Sequence, residues 1–301
     1  MDLAVHSLEH FALEVPDAGA GRAFYENFGL AGAADGNALR LSTGNGVAGF
    51  LYESAPRKRL HHLAFGIAPE ERAPFKAHLE TAGIRLLDAP KGIDGEALWF
   101  RDPDENLIAV ASTQRRAPSE KTALAARNVA AGMRGAPEQG APPKPKRMGH
   151  CLLFSTDVAR SVAFYERTLG LRLSDRSGEI VAFMHTPHGS DHHILAFGRS
   201  PRPGFHHASF EMEALDDIGM AAMHMTRLGY REGWGTGRHY IGSNYFHYVR
   251  DPWGSFAEYF YDIDYIPAGC AWETRDVPQE FSLYVWGPPP PPYFFENIEE
   301  G

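Results

Sequence analysis

The sequence predicts an α+β fold of four βαβββ modules, two in each half of the chain. Three observations lead to this prediction: segments of the first half recur in the second, each half divides into two stretches that read strand, helix, strands, and each predicted helix ends at a glycine. A chain of 301 residues is long enough for two separate cores. We predict a domain over 1–112, a linker over 113–147, a second domain over 148–265 and a tail over 266–301.

The first module of each half opens with a strand and a helix of similar sequence. In the first half these are ALEV and GAGRAFYENFG, followed by the strands LRLST and VAGFLYE. In the second half the same order is LLFST, VARSVAFYERTLG, EIVAFMHT and HHILAFG. Gly29 and Gly170 follow the two helices and are suited to left-handed C-caps.

The second modules contain helices within ERAPFKAHLETAG and LDDIGMAAMHMTRLG, each again closed by glycine. Asp102-Pro103 and Asp251-Pro252 then open turns between strand-forming stretches. Between the halves, residues 113–147 are rich in Ala, Pro, Gly and basic residues, which is typical of a linker, with one short helix expected over 120–131.

Composition excludes several classes of partner. The net charge of -9 and the lack of aromatic residues among the linker cations argue against nucleic acid. No apolar run is long enough to span a membrane. With two cysteines and no basic, apolar leader at the start, the expected location is the cytoplasm.

Two histidines and a glutamate stand at repeated positions. HCLLFSTDVARSVAFYERTLGL from His150 aligns with HFALEVPDAGAGRAFYENFGL, HHASFEM aligns with HHLAFGI, and RDPWGSFAEYF aligns with RDPDENLIAVA. The second half thereby keeps His150, His207 and Glu258, whereas the first half has His10, His62 and Ala109. A ligand set that is complete in one half predicts a single metal site.

Two imidazoles and a carboxylate on one face of a metal leave neighbouring positions open, as in non-haem Fe(II) enzymes. Strand side chains alternate, so only one of His206 and His207 is expected to point into a given concavity. Sequence parity alone does not decide which of the two it is.

The segments GHCLLFSTDV, DHHILAFG, GFHHASFEMEALDDIG, GTGRHYIGSNYFHYVRDPWGSFAEYF and LYVWGPPPP resemble type I extradiol ring-cleavage dioxygenases of the vicinal oxygen chelate superfamily. The resemblance covers nearly the whole chain and includes catechol 2,3-dioxygenases and 2,3-dihydroxybiphenyl 1,2-dioxygenases. It implies two vicinal oxygen chelate domains, each of two βαβββ modules curling into a partly open barrel. It also implies a homo-oligomer that opens catecholic rings with O2 during aromatic degradation.

The resemblance implies particular roles. His150, His207 and Glu258 become ligands of Fe(II), with Mn(II) the lesser alternative. His193 corresponds to an acid/base that deprotonates the catechol, a role suited to an imidazole. His239 and Tyr248 correspond to a pair that hydrogen-bonds substrate oxygen. Asn244 and His247, which precede Tyr248, are further candidates to line the pocket.

The C-terminal region bears on substrate choice. After Arg250 the sequence has a single cation, Arg275, which argues against a carboxylated substrate. Seven aromatic residues suggest a wall or lid for an uncharged or alkyl-, aryl- or hydroxy-substituted catechol: Trp253, Phe256, Trp272, Tyr284, Trp286, Tyr293 and Phe294. Two alternatives from the same superfamily are a glyoxalase-like metal-dependent isomerase or lyase and a non-catalytic small-molecule-binding protein.

Overall fold

A computed structural model describes residues 3–93, 95–123, 129–137 and 140–299. The first half contains β1 Ser7–Val15, α1 Ala18–Phe28, β2 Ala31–Asp35, β3 Ala38–Thr43, β4 Gly46–Glu53, β5 Arg59–Ile67, α2 Arg72–Thr81, β6 Leu98–Arg101 and β7 Leu107–Ser112. The second half contains β8 Arg147–Ser155, α3 Val158–Leu169, β9 Arg172–Ser177, β10 Val181–His185, β11 Ser190–Asp191, β12 Leu195–Arg199, β13 Gly204–Glu211, α4 Leu215–Arg227, β14 Gly233–Arg238, β15 Tyr245–Arg250 and β16 Phe256–Tyr261. The tail adds β17 Tyr265–Ile266, β18 Arg275–Asp276 and short 3-10 helices at Gln279–Phe281 and Pro292–Phe295.

The two large sheets have the same strand order, as a duplicated α+β fold requires. The first sheet runs β2-β3-β4-β1-β5-β7-β6, and the second runs β9-β10-β12-β8-β13-β16-β15-β14, with β18 of the tail added beside β9. One departure from the four predicted modules is found at the end of the first sheet. There the counterpart of β14 is reduced to an isolated bridge between Leu87 and Trp99.

Aspartate side chains begin α1 and α3, and the predicted glycines end them. The Asp17 and Asp157 side chains accept hydrogen bonds from backbone N–H groups in the first turns of α1 and α3. Gly29 and Gly170 close these helices in the left-handed conformation, with φ of 109° and 67°. The helices thus begin and end where the repeated sequence predicts.

The two halves share one apolar core. Phe11 of β1 stacks on Phe205 of β13 with ring centroids 5.4 Å apart. Phe28 at the end of α1 stacks on Tyr259 of β16 at 3.8 Å, and the Tyr259 hydroxyl donates to the Phe28 carbonyl at 2.9 Å. Burial of such large rings dominates the energetics of the contact between halves.

The described residues between Thr113 and Lys146 form neither helix nor strand. The short helix expected over 120–131 falls largely on residues 124–128, which lie outside the described part of the chain. None of the helices in the described ranges has the length and apolar character needed to cross a bilayer.

Candidate metal centre

Three adjacent central strands of the second sheet carry the predicted ligands. Ser209 of β13 pairs with His150 of β8 on one side and with Glu258 of β16 on the other, and His207 lies two residues before Ser209. Since side chains two apart on a strand share a face, all three ligand candidates lie on one side of the sheet. Their exposed fractions are 2% for His150, 3% for His207 and 0% for Glu258.

The three side chains converge on one point. His150 Nε2 lies 3.2 Å from Glu258 Oε2, and His207 Nε2 lies 3.6 Å from the same oxygen. One potential ligand atom from each residue falls within 4.8 Å of the other two. Within the described residues this is the one group of three or more histidine, cysteine or acidic side chains placed to hold a metal ion.

The donor set fits a divalent metal. His207 Nε2 and Glu258 Oε2 are fully buried, yet neither has a hydrogen-bond partner among the described residues. Burial lowers the pKa of His207, which keeps its imidazole neutral. Burial opposes ionisation of Glu258, but the close approach of the His150 and His239 imidazoles lowers the pKa of this carboxyl below its usual range. A neutral His207 imidazole and a charged Glu258 carboxylate are both in the protonation states that bind metal.

Both histidines of the later pair reach the cavity, contrary to the alternation expected from sequence. The pairing register of β13 with β8 shifts between Phe205 and His207, so His206 lies in a bulge and escapes the strict alternation. His207 directs Nε2 at Glu258. His206 turns toward the tail, where its Nε2 lies 2.7 Å from the Phe294 carbonyl oxygen.

The remaining predicted residues surround the ligands. The ring of His193 lies 4.1 Å from that of His150, centroid to centroid. His239 Nδ1 donates to the Leu283 carbonyl at 2.6 Å, so its Nε2 can accept from the Tyr248 hydroxyl at 3.0 Å. Burial raises the pKa of Tyr248, which keeps its phenol protonated.

The two further candidates before Tyr248 differ. Asn244 lines the cavity and donates from Nδ2 to Glu258 Oε1 at 3.3 Å. His247 lies on the other face of β15, where its Nδ1 is 3.3 Å from the Thr236 hydroxyl. Adjacent strand positions point in opposite directions, which explains why Tyr248 and His247 separate.

Two residues behind His193, His192 and Asp175, were not identified from the sequence. Asp175 accepts a hydrogen bond from His192 Nε2 at 2.8 Å, and His192 Nδ1 lies 3.1 Å from His193 Nδ1. His192 is the first member of a histidine pair, like His206, and this recurrence was the available signal. No such signal exists in the sequence for Asp175, because its contact with His192 depends on where β9 lies in the sheet.

Comparison with known proteins agrees with this geometry. The model of the Glyoxalase/Bleomycin resistance protein/Dioxygenase superfamily matches residues 7–110 and 147–259. The chain belongs to this superfamily. It is 43% identical to Metapyrocatechase 2 of Cupriavidus necator over 298 residues, covering 98% of this chain and 93% of that protein. The family and the α+β fold class expected from the sequence are thereby confirmed.

Solved structures show the same superfamily fold. A Mn(II)-bound glyoxalase from Novosphingobium aromaticivorans gives a TM-score of 0.78 at 24% identity, covering 97% of this chain and 94% of that chain. A catechol 2,3-dioxygenase gives a TM-score of 0.75 at 20% identity, covering 97% and 98% respectively. At these identities the structures establish the fold alone.

A cavity of about 380 Å³ opens in front of the candidate ligands. Its walls are mainly apolar and include Leu152, Phe154, Phe183, Trp234, Ile241 and Phe294. Of the seven C-terminal aromatics predicted to form a wall or lid, Phe294 is the one among the described lining residues. Phe295 of the tail also lines the cavity, whereas Phe154, Phe183 and Trp234 come from strands of the second sheet, so the tail supplies part of the aromatic wall.

The first half of this superfamily member has a different arrangement at the equivalent position. His10 Nε2 and His62 Nε2 lie 3.0 Å apart and hydrogen-bond each other. Trp99 pairs with Ala109 in the register by which Tyr248 pairs with Glu258, and its ring packs on His62 at 5.0 Å. Burial lowers the pKa of His10 to about 3 and that of His62 to about 2.

Proposed function

We propose that this protein is an extradiol dioxygenase, which opens a catecholic ring beside its hydroxylated carbons and places both atoms of O2 in the product. The observation that carries the proposal is the buried His150, His207 and Glu258 group facing a mainly apolar cavity. The 43% identity to Metapyrocatechase 2 over nearly the whole chain supports the same activity.

In this proposal the three converging side chains hold Fe(II), in preference to Mn(II). Two histidines and one carboxylate are the donor set of non-haem Fe(II) oxygenases, and such a site offers open positions for a chelating substrate and for dioxygen. Asn244 holds Glu258 by donating to Oε1. This leaves Glu258 Oε2, which is buried and without a hydrogen-bond partner among the described residues, for the metal.

His193 is proposed to take a proton from the catechol. Asp175 accepts from His192 Nε2, and in this proposal His192 Nδ1 accepts from His193 Nδ1–H. His193 Nε2 is then left with a lone pair. Burial lowers the pKa of His193, which keeps that lone pair free before substrate arrives. A positioned base of this kind contributes about 10²- to 10⁴-fold in rate.

His239 and Tyr248 are proposed to orient substrate oxygen. The Tyr248 hydroxyl donates to His239 Nε2 in the absence of substrate. Both residues line the cavity, so the phenol can turn its hydrogen toward an oxygen of the bound ring. His239 is fixed by its bond to the Leu283 carbonyl, so the change falls on the direction of the Tyr248 O–H bond.

The cavity favours a catechol with an uncharged substituent. Among its described lining residues Arg199 is the one lysine or arginine, and the Glu179 carboxylate pairs with it at 3.0 Å. Arg275 lines a separate cavity that also includes Trp272. We therefore propose a neutral alkyl- or aryl-substituted catechol as substrate, with turnover by a cytoplasmic homo-oligomer.

Oxygen uptake by anaerobically iron-reconstituted protein tests the function. We expect one O2 consumed per catechol, a yellow ring-opened product, and higher kcat/KM for catechol and alkyl or aryl catechols than for a carboxylated catechol. Reconstitution with Mn(II) compares the two metals. A stoichiometric iron site without oxygen uptake would refute the proposal and favour the isomerase or binding alternative.

A further inference from the structure

We propose that His206 is a positioning residue through which the C-terminal segment Pro291–Glu299 fixes the metal-binding nitrogen of His207. This inference rests on the proposed metal site. It assigns a role to a histidine that touches neither the metal position nor the proposed base. It also makes the tail part of the metal centre.

The hydrogen-bond partners of His206 determine which ring nitrogen of His207 carries the proton. The Phe294 carbonyl oxygen can only accept, so the contact of 2.7 Å requires a hydrogen on His206 Nε2. In the neutral ring His206 Nδ1 is then an acceptor. It lies 2.6 Å from His207 Nδ1, which therefore donates. His207 Nε2 is left with a lone pair directed at the metal position.

The opposite tautomer would disable the ligand. With the hydrogen on His207 Nε2, an N–H group would point at the place where the metal binds, and two lone pairs would face each other between the rings. Partners of ligand histidines commonly select the tautomer and orientation in this way. The unusual feature here is that the partner is itself a histidine held by a tail carbonyl.

The His206 ring has little freedom to turn. It is buried, and its centroid lies 5.1 Å from that of Phe154, 5.2 Å from that of Phe256 and 4.8 Å from that of Phe294. Both ring nitrogens are satisfied inside this apolar enclosure, as buried polar groups require. Packing therefore maintains the hydrogen-bond direction that the carbonyl selects.

The tail that supplies the carbonyl is held by both halves of the chain. The Glu299 carboxylate accepts from the backbone N–H of Phe205 at 3.0 Å and from that of Leu60 at 3.1 Å. The buried Lys58 ammonium lies 3.3 Å from the same carboxylate. Asn297 Nδ2 donates to the Arg202 carbonyl at 2.8 Å. These contacts fix the segment that carries Phe294.

The first half provides a matched control. His61 and His62 repeat the pair, with Nδ1 atoms 2.7 Å apart, but His61 stacks on Tyr52 rather than on a residue of the tail. His62 faces His10 and has no carboxylate opposite it. A change at His61 therefore removes the same type of contact where no metal is proposed.

The test measures Fe(II) affinity of the full chain by anaerobic chelator competition. We expect His206→Leu to weaken affinity about 10- to 100-fold. His206→Asn should recover most of that loss, because its side-chain oxygen can accept from His207 Nδ1–H. His61→Leu should leave affinity unchanged. Wild-type affinity in a folded His206→Leu protein, no recovery by His206→Asn, or equal loss from His61→Leu would overturn the inference.

A second variant tests the tail if His206→Leu does not fold. Glu299→Ala removes the anchor without touching the histidines, and we expect weaker Fe(II) binding with an unchanged circular dichroism spectrum. Unchanged affinity would contradict the role of the tail. Since affinity is measured without catechol, tight iron binding that depends on His206 but gives no oxygen uptake would refute the proposed function alone.

Discussion

The two halves of the molecule place histidines at the same positions of the same strands, yet among the described residues only the second half brings together a group that could bind a metal. In the second half Glu258 faces both histidines, and Tyr248 lies beside it on the neighbouring strand. In the first half Ala109 replaces the carboxylate, and Trp99 fills the space. Two differences on adjacent strands, Glu258 against Ala109 and Tyr248 against Trp99, thus distinguish the two halves. One half has buried potential metal ligands without hydrogen-bond partners, and the other has a packed aromatic cluster.

The largest effect is expected from removing the carboxylate that distinguishes the halves. Glu258→Ala takes away one of three ligands and leaves two buried imidazoles, so iron affinity should fall by more than the roughly 100-fold typical of supporting residues. Activity should disappear with it. Iron content after gel filtration measures the change. Ala109→Ser in the first half is the control, and equal iron loss in both variants would contradict a single site.

A smaller effect is expected from replacing His193, which has no histidine counterpart in the first half. By strand register Val47 occupies the place of His193, because Gly49 pairs with Phe11 as Leu195 pairs with Cys151. His193→Ala should keep its iron but lower kcat about 10²- to 10⁴-fold. Steady-state kinetics with metal analysis on the same sample separates the two effects. Full activity would remove His193 from the mechanism.

The smallest effect concerns acid stability of the first half. The folded-state pKa values of about 3 for His10 and about 2 for His62 lie below the ordinary 6.5. The unfolded chain therefore binds protons below pH 6.5 that the folded chain excludes, and stability present above pH 6.5 is lost as pH falls toward about 3. Each histidine contributes at most about 1.4 kcal/mol per pH unit.

Replacing both residues, His10→Gln with His62→Gln, should make this decline shallower. Urea unfolding of metal-free protein at several values between pH 4 and pH 7 gives the change of the unfolding free energy with pH. This change corresponds to the uptake of roughly one proton per histidine at most. Iron binding by the second half at neutral pH should not change. A slope equal to that of the wild type would show that the buried pair does not exclude protons as the structure indicates.

The duplication made much of the molecule predictable. Because the segments around His150 and Glu258 have visible copies, the order of elements along the chain, the helix ends and the convergence of the ligand candidates followed from alignment. His206 was harder, since a register shift in β13 overrides the alternation on which strand predictions depend. Asp175 could not be predicted because its contact joins β9 to His192, a residue 17 positions later in the bend between β11 and β12. Contacts that depend on how strands pair in the sheet leave no pattern in the neighbouring sequence.

The strand that carries Glu258 also carries a constraint on the other half. Glu258 faces the cavity, whereas the next residue, Tyr259, stacks on Phe28 and donates to its carbonyl. A duplicated copy without its own chemistry is ordinarily free to drift during evolution. Here Phe28 supports the back of a strand whose front holds a proposed ligand, so selection for catalysis in one copy also restricts which substitutions the silent copy can accept.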